Sequence, residues 1–220
     1  MARASSPTCT GRDPVSARAD RLAILDRDGT LIDVVRDEET GVITTAFHPS
    51  QLRLLDGVVA GLSALRDAGY AFALATNQPG PAKGHFSAAA VTRTNAALVA
   101  LLAASGIEVL RVGVCMHHPK GGAGGDPQLV GECACRKPKP GLLLDTMREL
   151  AFSPGATWMI GDGMADVAAA RAAGVRAALL FADNRCELCP LRQGPAVLPD
   201  VHAAAFDALA RAILAADTSR

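Results

Sequence analysis

Asp26 and Asp28 flank Arg27 and precede Gly29 and Thr30, so two carboxylates leave one apolar run on a tight, glycine-bearing turn. A third, Asp162, stands between Gly161 and Gly163 after another apolar run. Like charges brought together this closely do not all stay ionised unless a cation joins them, and a hard divalent ion with oxygen ligands is the natural one; magnesium is expected. Such an ion also neutralises phosphate oxygens. Lys137 and the Thr76 hydroxyl can hold the remaining ones, leaving an aspartate oxygen to attack phosphorus in line. The constellation describes phosphoryl transfer to an aspartate. Taken singly, Asp28-Gly29 also reads as a plain turn and Gly161-Asp162 as a helix N-cap, so the chemistry rests on their joint presence.

A second group of donors lies nearby. Cys115-x-His117-His118 and Cys133-x-Cys135 bracket a segment containing Gly121, Gly122, Gly124 and Gly125. Thiolates and an imidazole in that arrangement can close a tetrahedral, structural zinc site, whereas the bland reading is two buried cysteines and a surface histidine. The glycine-rich loop has conformational entropy to lose, and zinc would fix it beside Lys137. Cys186-x-x-Cys189 is read as two thiols in a surface loop, with half a zinc site or a redox pair as the sharper readings, and Cys9 as incidental. His48, His85 and His202 have no partner visible in sequence and are expected to be solvated or capping.

The elements that must position these residues alternate. Apolar runs at 22–25, 71–75, 109–114, 158–160 and 177–181 read as buried strands. Between them, Leu52, Leu55, Val58, Val59, Leu62 and Leu65 recur at helical spacing until Gly69, and further helices are expected at 87–105, 140–150, 165–173 and 203–215. Apolar stripes at 95–103 and 203–214 are assigned to core-facing helix. The pattern predicts an α/β fold, a three-layer, Rossmann-like parallel sheet of five strands with helices on both faces. In such sheets ligands bind beyond the carboxyl ends of the strands, where Asp26, Thr76, the 115–137 loop and Asp162 all fall. The segments 34–50 and 183–200 read as irregular.

With 220 residues, one domain is expected over 21–215, carrying the 115–135 loop and preceded by a flexible tail over 1–20. Half the residues are apolar and a fifth charged, enough for a core and too little charge for disorder. The 22 basic and 22 acidic residues cancel, so no net field draws a nucleic acid or an anionic membrane. The longest strongly apolar uncharged stretch, 94–107, is too short to span a bilayer, and residues 1–20 lack the apolar core of a secretion signal. A cytoplasmic monomer that takes a small phosphorylated metabolite is expected.

Taken together, these residues make the chain resemble the haloacid-dehalogenase-like phosphatases. Ile24-Leu25-Asp26-Arg27-Asp28-Gly29-Thr30-Leu31 is similar to their first motif and Ala75-Thr76-Asn77-Gln78 to the second. Arg136-Lys137-Pro138 with Pro140-Gly141 resembles the third, and Gly161-Asp162-Gly163 with Asp166 the fourth. The four occur in order over about residues 22–182. The resemblance implies that Asp26 is the nucleophile forming an aspartyl-phosphate, and that Asp28 protonates the leaving alkoxide and then activates water, a role that asks for a raised pKa. It implies magnesium on the Asp26 carboxylate, the Asp28 main-chain carbonyl and Asp162. Asp166 is either a residue that orients its neighbours or a first-turn acid favoured by the helix dipole.

Within that family, cysteines placed just before Arg136-Lys137-Pro138 are similar to the D-glycero-D-manno-heptose 1,7-bisphosphate phosphatases and the related histidinol-phosphatases, compact enzymes without a large cap domain. That likeness, closer to the heptose enzymes, makes Cys115, His117, Cys133 and Cys135 the zinc ligands and His118 a neighbour. It also suggests Asn77, Lys83 and Arg136 as substrate contacts. Pro79, Lys83, Met116 and Gly163 depart from the pattern, which has serine, arginine, proline and lysine there, and 33–48 is longer than expected. Lysine at 83 keeps the charge of arginine but loses its planar grip on phosphate. Histidinol-phosphate hydrolysis is the near alternative, and a non-catalytic zinc-containing binding module the alternative of another class.

Overall fold

The computed structural model describes residues 19–36, 39, 41–181 and 198–219. Residues 1–18 of the proposed tail, with Cys9, and Cys186 and Cys189 lie outside them. Six parallel strands form the sheet: β1 (Arg21–Leu25), β4 (Tyr70–Asn77), β5 (Val109–Cys115), β6 (Thr157–Gly161), β7 (Arg176–Leu180) and β8 (Val201–Ala203). Their order is β5-β4-β1-β6-β7-β8, so the chain builds outward from β1 in one direction and then returns to build in the other. The strand order reverses at β1, and side chains leaving β1 and its neighbours β4 and β6 converge on one crevice. The insertion after β1 carries a two-strand antiparallel hairpin, β2 (Val35–Arg36) with β3 (Ile43–Thr44), rather than a large cap.

Period-two alternation along the strands feeds two separate cores. Leu25, Leu74, Phe72, Trp158 and Ile160 face helices α1 (Val58–Asp67), α3 (Ala88–Ala104) and α6 (Phe206–Thr218), which contribute Leu62, Leu65, Leu98, Leu102, Phe206 and Ile213. Leu22, Ile24, Ala71, Ala73, Ala75 and Met159 face α4 (Gly141–Leu150) and α5 (Met164–Ala173). This second layer is rich in alanine, so its helices approach the sheet closely and hold the loops at their amino ends firmly. The remaining helix, α2 (Gly80–Lys83), is one turn following β4.

Three expectations are corrected. The helix proposed from Leu52 starts only at Val58, because Gly57 has φ +78°, Leu55 N–H donates to the Leu31 carbonyl and Leu54 bridges Ile32 in antiparallel fashion. The apolar spacing there serves a turn packed beneath β1, not a helical face. The sheet has a sixth strand, β8, too short and too exposed to announce itself by hydropathy. It takes Ala203, so the last helix begins at Phe206. The irregular 34–50 stretch contains the hairpin and a 3-10 turn, Pro49–Gln51, capped by the His48 ring, which accepts from Ser50 N–H at 3.2 Å.

At the sheet edge remote from the crevice, Asp217 of α6 gathers four donors: Tyr70 Oη, Trp158 Nε1 at 3.3 Å, Arg21 at 3.1 Å and Arg176 at 2.6 Å. The Arg176 guanidinium also lies over the Trp158 ring, 4.2 Å from its centroid. Burial pushes the Asp217 carboxyl up, but the Tyr70, Arg176 and Trp158 donors outweigh it and hold the group below its ordinary value. A carboxyl with a depressed folded pKa stabilises the fold above the unfolded value and loses that contribution as pH falls through the folded one. Asp217→Asn is expected to cost about 3 kcal/mol at pH 7, since it strands buried donors and two cations, with a smaller penalty below about pH 4. Denaturant melts at both pH values test this; equal penalties would exclude the ionised carboxylate as the source.

Candidate active site

β1 ends in a buried run and its next residue, Asp26, donates its N–H to the Ile160 carbonyl of β6, which carries the side chain across the sheet's carboxyl edge. Gly29 at φ +76° then turns the chain, and Leu31 and Ile32 N–H return to the Arg27 carbonyl, closing a tight loop that fixes Asp26 and Asp28. Lys137 enters from the loop preceding α4. Its Nζ lies 2.9 Å from Asp26 Oδ1, 2.5 Å from Asp166 Oδ1 and 2.7 Å from the Ala75 carbonyl of β4, with a side chain 2 % exposed. Burial alone would lower its pKa, but Asp166 and Asp26 together carry it above the ordinary lysine range. It is a fixed, permanent cation.

Asp26, Asp162 and Asp166 each offer an oxygen within 4.8 Å of the others. Asp26 and Asp162 therefore meet as the sequence reading requires, but the third carboxylate is Asp166, not Asp28. The Asp28 carboxylate turns away, toward Arg27 and Gln78. Asp166 sits in the first turn of α5, where its Oδ2 accepts the Gly163 N–H at 3.1 Å while Oδ1 meets Lys137. Gly161 makes room for it: a Cβ there would stand 2.3 Å from Asp166 Cγ. Burial, the leading cause, together with Asp166 and Asp162, pushes the Asp26 carboxyl up to about 7 against the opposing pull of Lys137. Three carboxylate oxygens gathered this closely fit a hard divalent cation.

Thr76, also buried, lies on β4 with its Oγ1 accepting from Gln78 Nε2 at 2.9 Å. Its own hydroxyl hydrogen is thereby left to donate. Asn77 braces rather than reaches out: its Nδ2 donates to the Lys137 carbonyl at 2.9 Å and its Oδ1 accepts the Lys137 N–H at 3.1 Å. Arg136 donates to the His117 carbonyl at 3.3 Å and lines a cleft of about 220 Å³ with Lys137, Pro119 and Lys139. Lys83 lines a wider neighbouring basin with His85, His118 and Lys120. Desolvation and then Lys83, Arg136 and Lys120 lower the pKa of the His118 ring there, so these three cations lie close to one another on the rim.

The four predicted soft ligands converge. Cys115 Sγ lies 3.2 Å from Cys135 Sγ, 3.7 Å from Cys133 Sγ and 3.8 Å from His117 Nδ1, and Cys135 Sγ is 3.6 Å from that nitrogen. A tetrahedron with metal–sulfur bonds of about 2.3 Å has edges of about 3.8 Å, so the cluster has the size of a four-coordinate metal site. Its cysteines are free thiols, and Cys115 is buried, which pushes its proton affinity up; only a cation makes it an anion there. The glycines between the two pairs serve close packing. A Cβ at Gly125 would stand 2.0 Å from the Ala82 carbonyl and one at Gly122 2.4 Å from the Lys83 carbonyl, so this loop lies backbone against backbone on α2. His118 stands outside the cluster, with its Nδ1 accepting Lys120 N–H at 3.3 Å.

Sequence reasoning missed Gln78, which joins Thr76 to Asp28, and passed over Arg27, which is completely buried beside it. Two charges flanking a buried turn were the available signal for Arg27.

A divalent cation on the carboxylate cluster must displace the proton that Asp26 holds below about pH 7. Magnesium affinity, by calorimetric titration, is expected to fall about tenfold per pH unit below that point and to level off above it. Affinity independent of pH between 6 and 8 would show that Asp26 is not displaced by the ion.

The family model described as haloacid dehalogenase-like hydrolase matches residues 34–174. A relative from Pasteurella multocida, named D-glycero-beta-D-manno-heptose-1,7-bisphosphate 7-phosphatase, is 33 % identical over 160 residues, covering 73 % of this chain and 80 % of that one. One of the same name from Photorhabdus laumondii is 35 % identical over 146 residues, covering 66 % and 72 %. The crystal structure of D,D-heptose 1,7-bisphosphate phosphatase from B. bronchiseptica, complexed with magnesium and phosphate, superposes with a TM-score of 0.69 at 28 % identity, covering 89 % of this chain and 99 % of that one. With the sheet order, the acidic crevice and these matches together, the chain belongs to the haloacid dehalogenase-like hydrolases.

Proposed function

We propose that this chain is a magnesium-dependent phosphatase that hydrolyses a phosphate monoester of a small phosphorylated sugar, specifically D-glycero-D-manno-heptose 1,7-bisphosphate, through an aspartyl-phosphate. The observation that carries the chemistry is the Asp26–Lys137–Asp166 ion cluster beside Asp162 at the carboxyl edge of the sheet. The sugar is carried by the relatives, which bear the heptose bisphosphatase name over two thirds or more of their length.

In this reading Asp26 attacks phosphorus with the carboxylate oxygen that Lys137 does not hold. Lys137 and the Thr76 hydroxyl take phosphoryl oxygens as charge moves onto them. Asp28 gives a proton to the departing alkoxide, then removes one from the water that opens the aspartyl-phosphate, so one carboxyl serves both halves. A magnesium ion held by the Asp26 carboxylate, the Asp28 carbonyl and Asp162 supplies charge neutralisation that lets an anionic nucleophile approach a phosphate dianion. Arg136 and Lys83, on the cationic rim, face the second phosphate of the substrate, and Asn77 acts through its grip on the Lys137 main chain.

The soft-ligand cluster is assigned to structural zinc on Cys115, His117, Cys133 and Cys135, since four protein donors leave no open position for substrate. Elemental analysis is expected to find zinc in the purified wild-type protein and to find it lost in Cys133→Ser, with the loop that delivers Lys137 loosened. Unchanged metal content would remove Cys133 from the ligand set.

Asp26→Asn is expected to lower kcat by at least about 10⁴-fold with little change in melting temperature, because Lys137 keeps Asp166 and the Ala75 carbonyl. Steady-state rates on both anomers of the heptose bisphosphate and on histidinol phosphate decide the substrate. Preference for histidinol phosphate would overturn the sugar assignment, and an active Asp26→Asn protein the nucleophile assignment.

A further inference from the structure

Arg27 is a full cation with no solvent exposure, placed between the two reactive aspartates in sequence yet pointing away from the carboxylate cluster. Every group of its guanidinium is engaged. Nε donates to Asp28 Oδ2 and Nη2 to Asp28 Oδ1, each at 3.1 Å, a two-pronged hold on that carboxylate. Nη1 donates to Asn95 Oδ1 of α3 at 2.6 Å. Nη2 reaches the 33–48 insertion as well, at Thr45 Oγ1 (2.5 Å) and the Ala46 carbonyl (2.8 Å). Gln78 completes the arrangement, donating from Nε2 to Asp28 Oδ2 at 2.6 Å and accepting from Thr45 Oγ1 at 3.2 Å.

We infer that Arg27 is a positioning residue for Asp28, and that the 33–48 insertion acts as its brace. A carboxylate gripped by a planar fork cannot swing about its χ angles, and its plane is set relative to Asp26 by the rigid turn that carries both. Thr45 and Ala46 hold the outer edge of that fork and Asn95 the inner edge. Two residues of this insertion thus brace the group that holds Asp28. Arg27 itself touches neither phosphate nor leaving group.

The inference rests on the phosphatase reading and predicts a specific kinetic signature. Departure of an alkoxide needs the proton that Asp28 delivers; departure of p-nitrophenolate does not. The ratio of kcat/KM for the heptose bisphosphate to kcat/KM for p-nitrophenyl phosphate therefore reports how well Asp28 is placed. Arg27→Lys keeps the charge but not the fork, and is expected to lower that ratio by about 100-fold, within the range that general acid catalysis contributes. Thr45→Val removes one brace of Arg27 and one of Gln78, and is expected to lower the ratio by roughly fivefold in a fully folded protein. A structural role would depress both substrates alike. An unchanged ratio in Arg27→Lys overturns the inference, and should that variant not fold, an unchanged ratio in Thr45→Val overturns it. Wild-type protein that hydrolyses neither substrate with magnesium present fails the phosphatase reading itself, and the inference with it.

Discussion

The ammonium of Lys137, sealed between Asp26 and Asp166, is the interaction on which the rest of the crevice depends. A lone buried cation costs several kcal/mol, and a buried carboxylate as much; Lys137 tolerates burial because Asp166, Asp26 and the Ala75 carbonyl take its three donor directions. The set spans β1, β4, the loop before α4 and the first turn of α5. A shift in any of these leaves charge unpaired in a poorly solvated place, so the cluster selects one arrangement of the sheet's carboxyl edge. Its cost is offset elsewhere, in the two apolar layers and in the Asp217 knot that ties α6 to the opposite edge.

Holding a lysine there is a loop problem. Lys137 lies on an irregular segment, and ordering such a segment costs roughly 1–2 kcal/mol per residue in backbone entropy. Three local devices share that burden. The Asn77 amide makes a reciprocal pair with the Lys137 main chain, glycines let the preceding loop lie directly on α2, and the four-donor cluster closes the loop a short distance upstream. The two clusters share no ligand, yet the same loop joins the soft-donor cluster to Lys137.

Much of this was legible in the sequence, and the reason is chemical. Asp26, Asp28, Thr76 and Asp162 sit at or just past the ends of apolar runs, and alternation of strand and helix sends every run's end to one edge, so placing them needed no long-range information; Lys137 lies in the loop that follows another such run. The cysteine pairs were legible because few other roles suit such spacing. What stayed hidden depends on phase and burial. Asp166 reaches Lys137 because it falls at the third position of α5, over the space left by Gly161. Asp217 meets Arg21 and Tyr70 across 196 and 147 residues of chain, which no local pattern encodes. The Leu52–Leu55 spacing imitated a helix because a packed turn also needs apolar residues a few positions apart, and Gly57 alone marked the difference.

Arg27 shows why charged residues within an apolar stretch merit a reading of their own. In water its guanidinium would be free, and its presence at zero exposure requires that partners from three elements be in place before the chain closes over it. Asp28 is the only one of those partners that also bears a charge, so Arg27 and Asp28 neutralise each other beneath the turn. The division of labour follows from that pairing. Lys137 draws on Asp26 and Asp166, Arg27 on Asp28, and the two buried cations thereby keep Asp26 and Asp28 from competing for one counter-charge. The turn that carries both aspartates thus gives each its own fixed cation from the protein's interior.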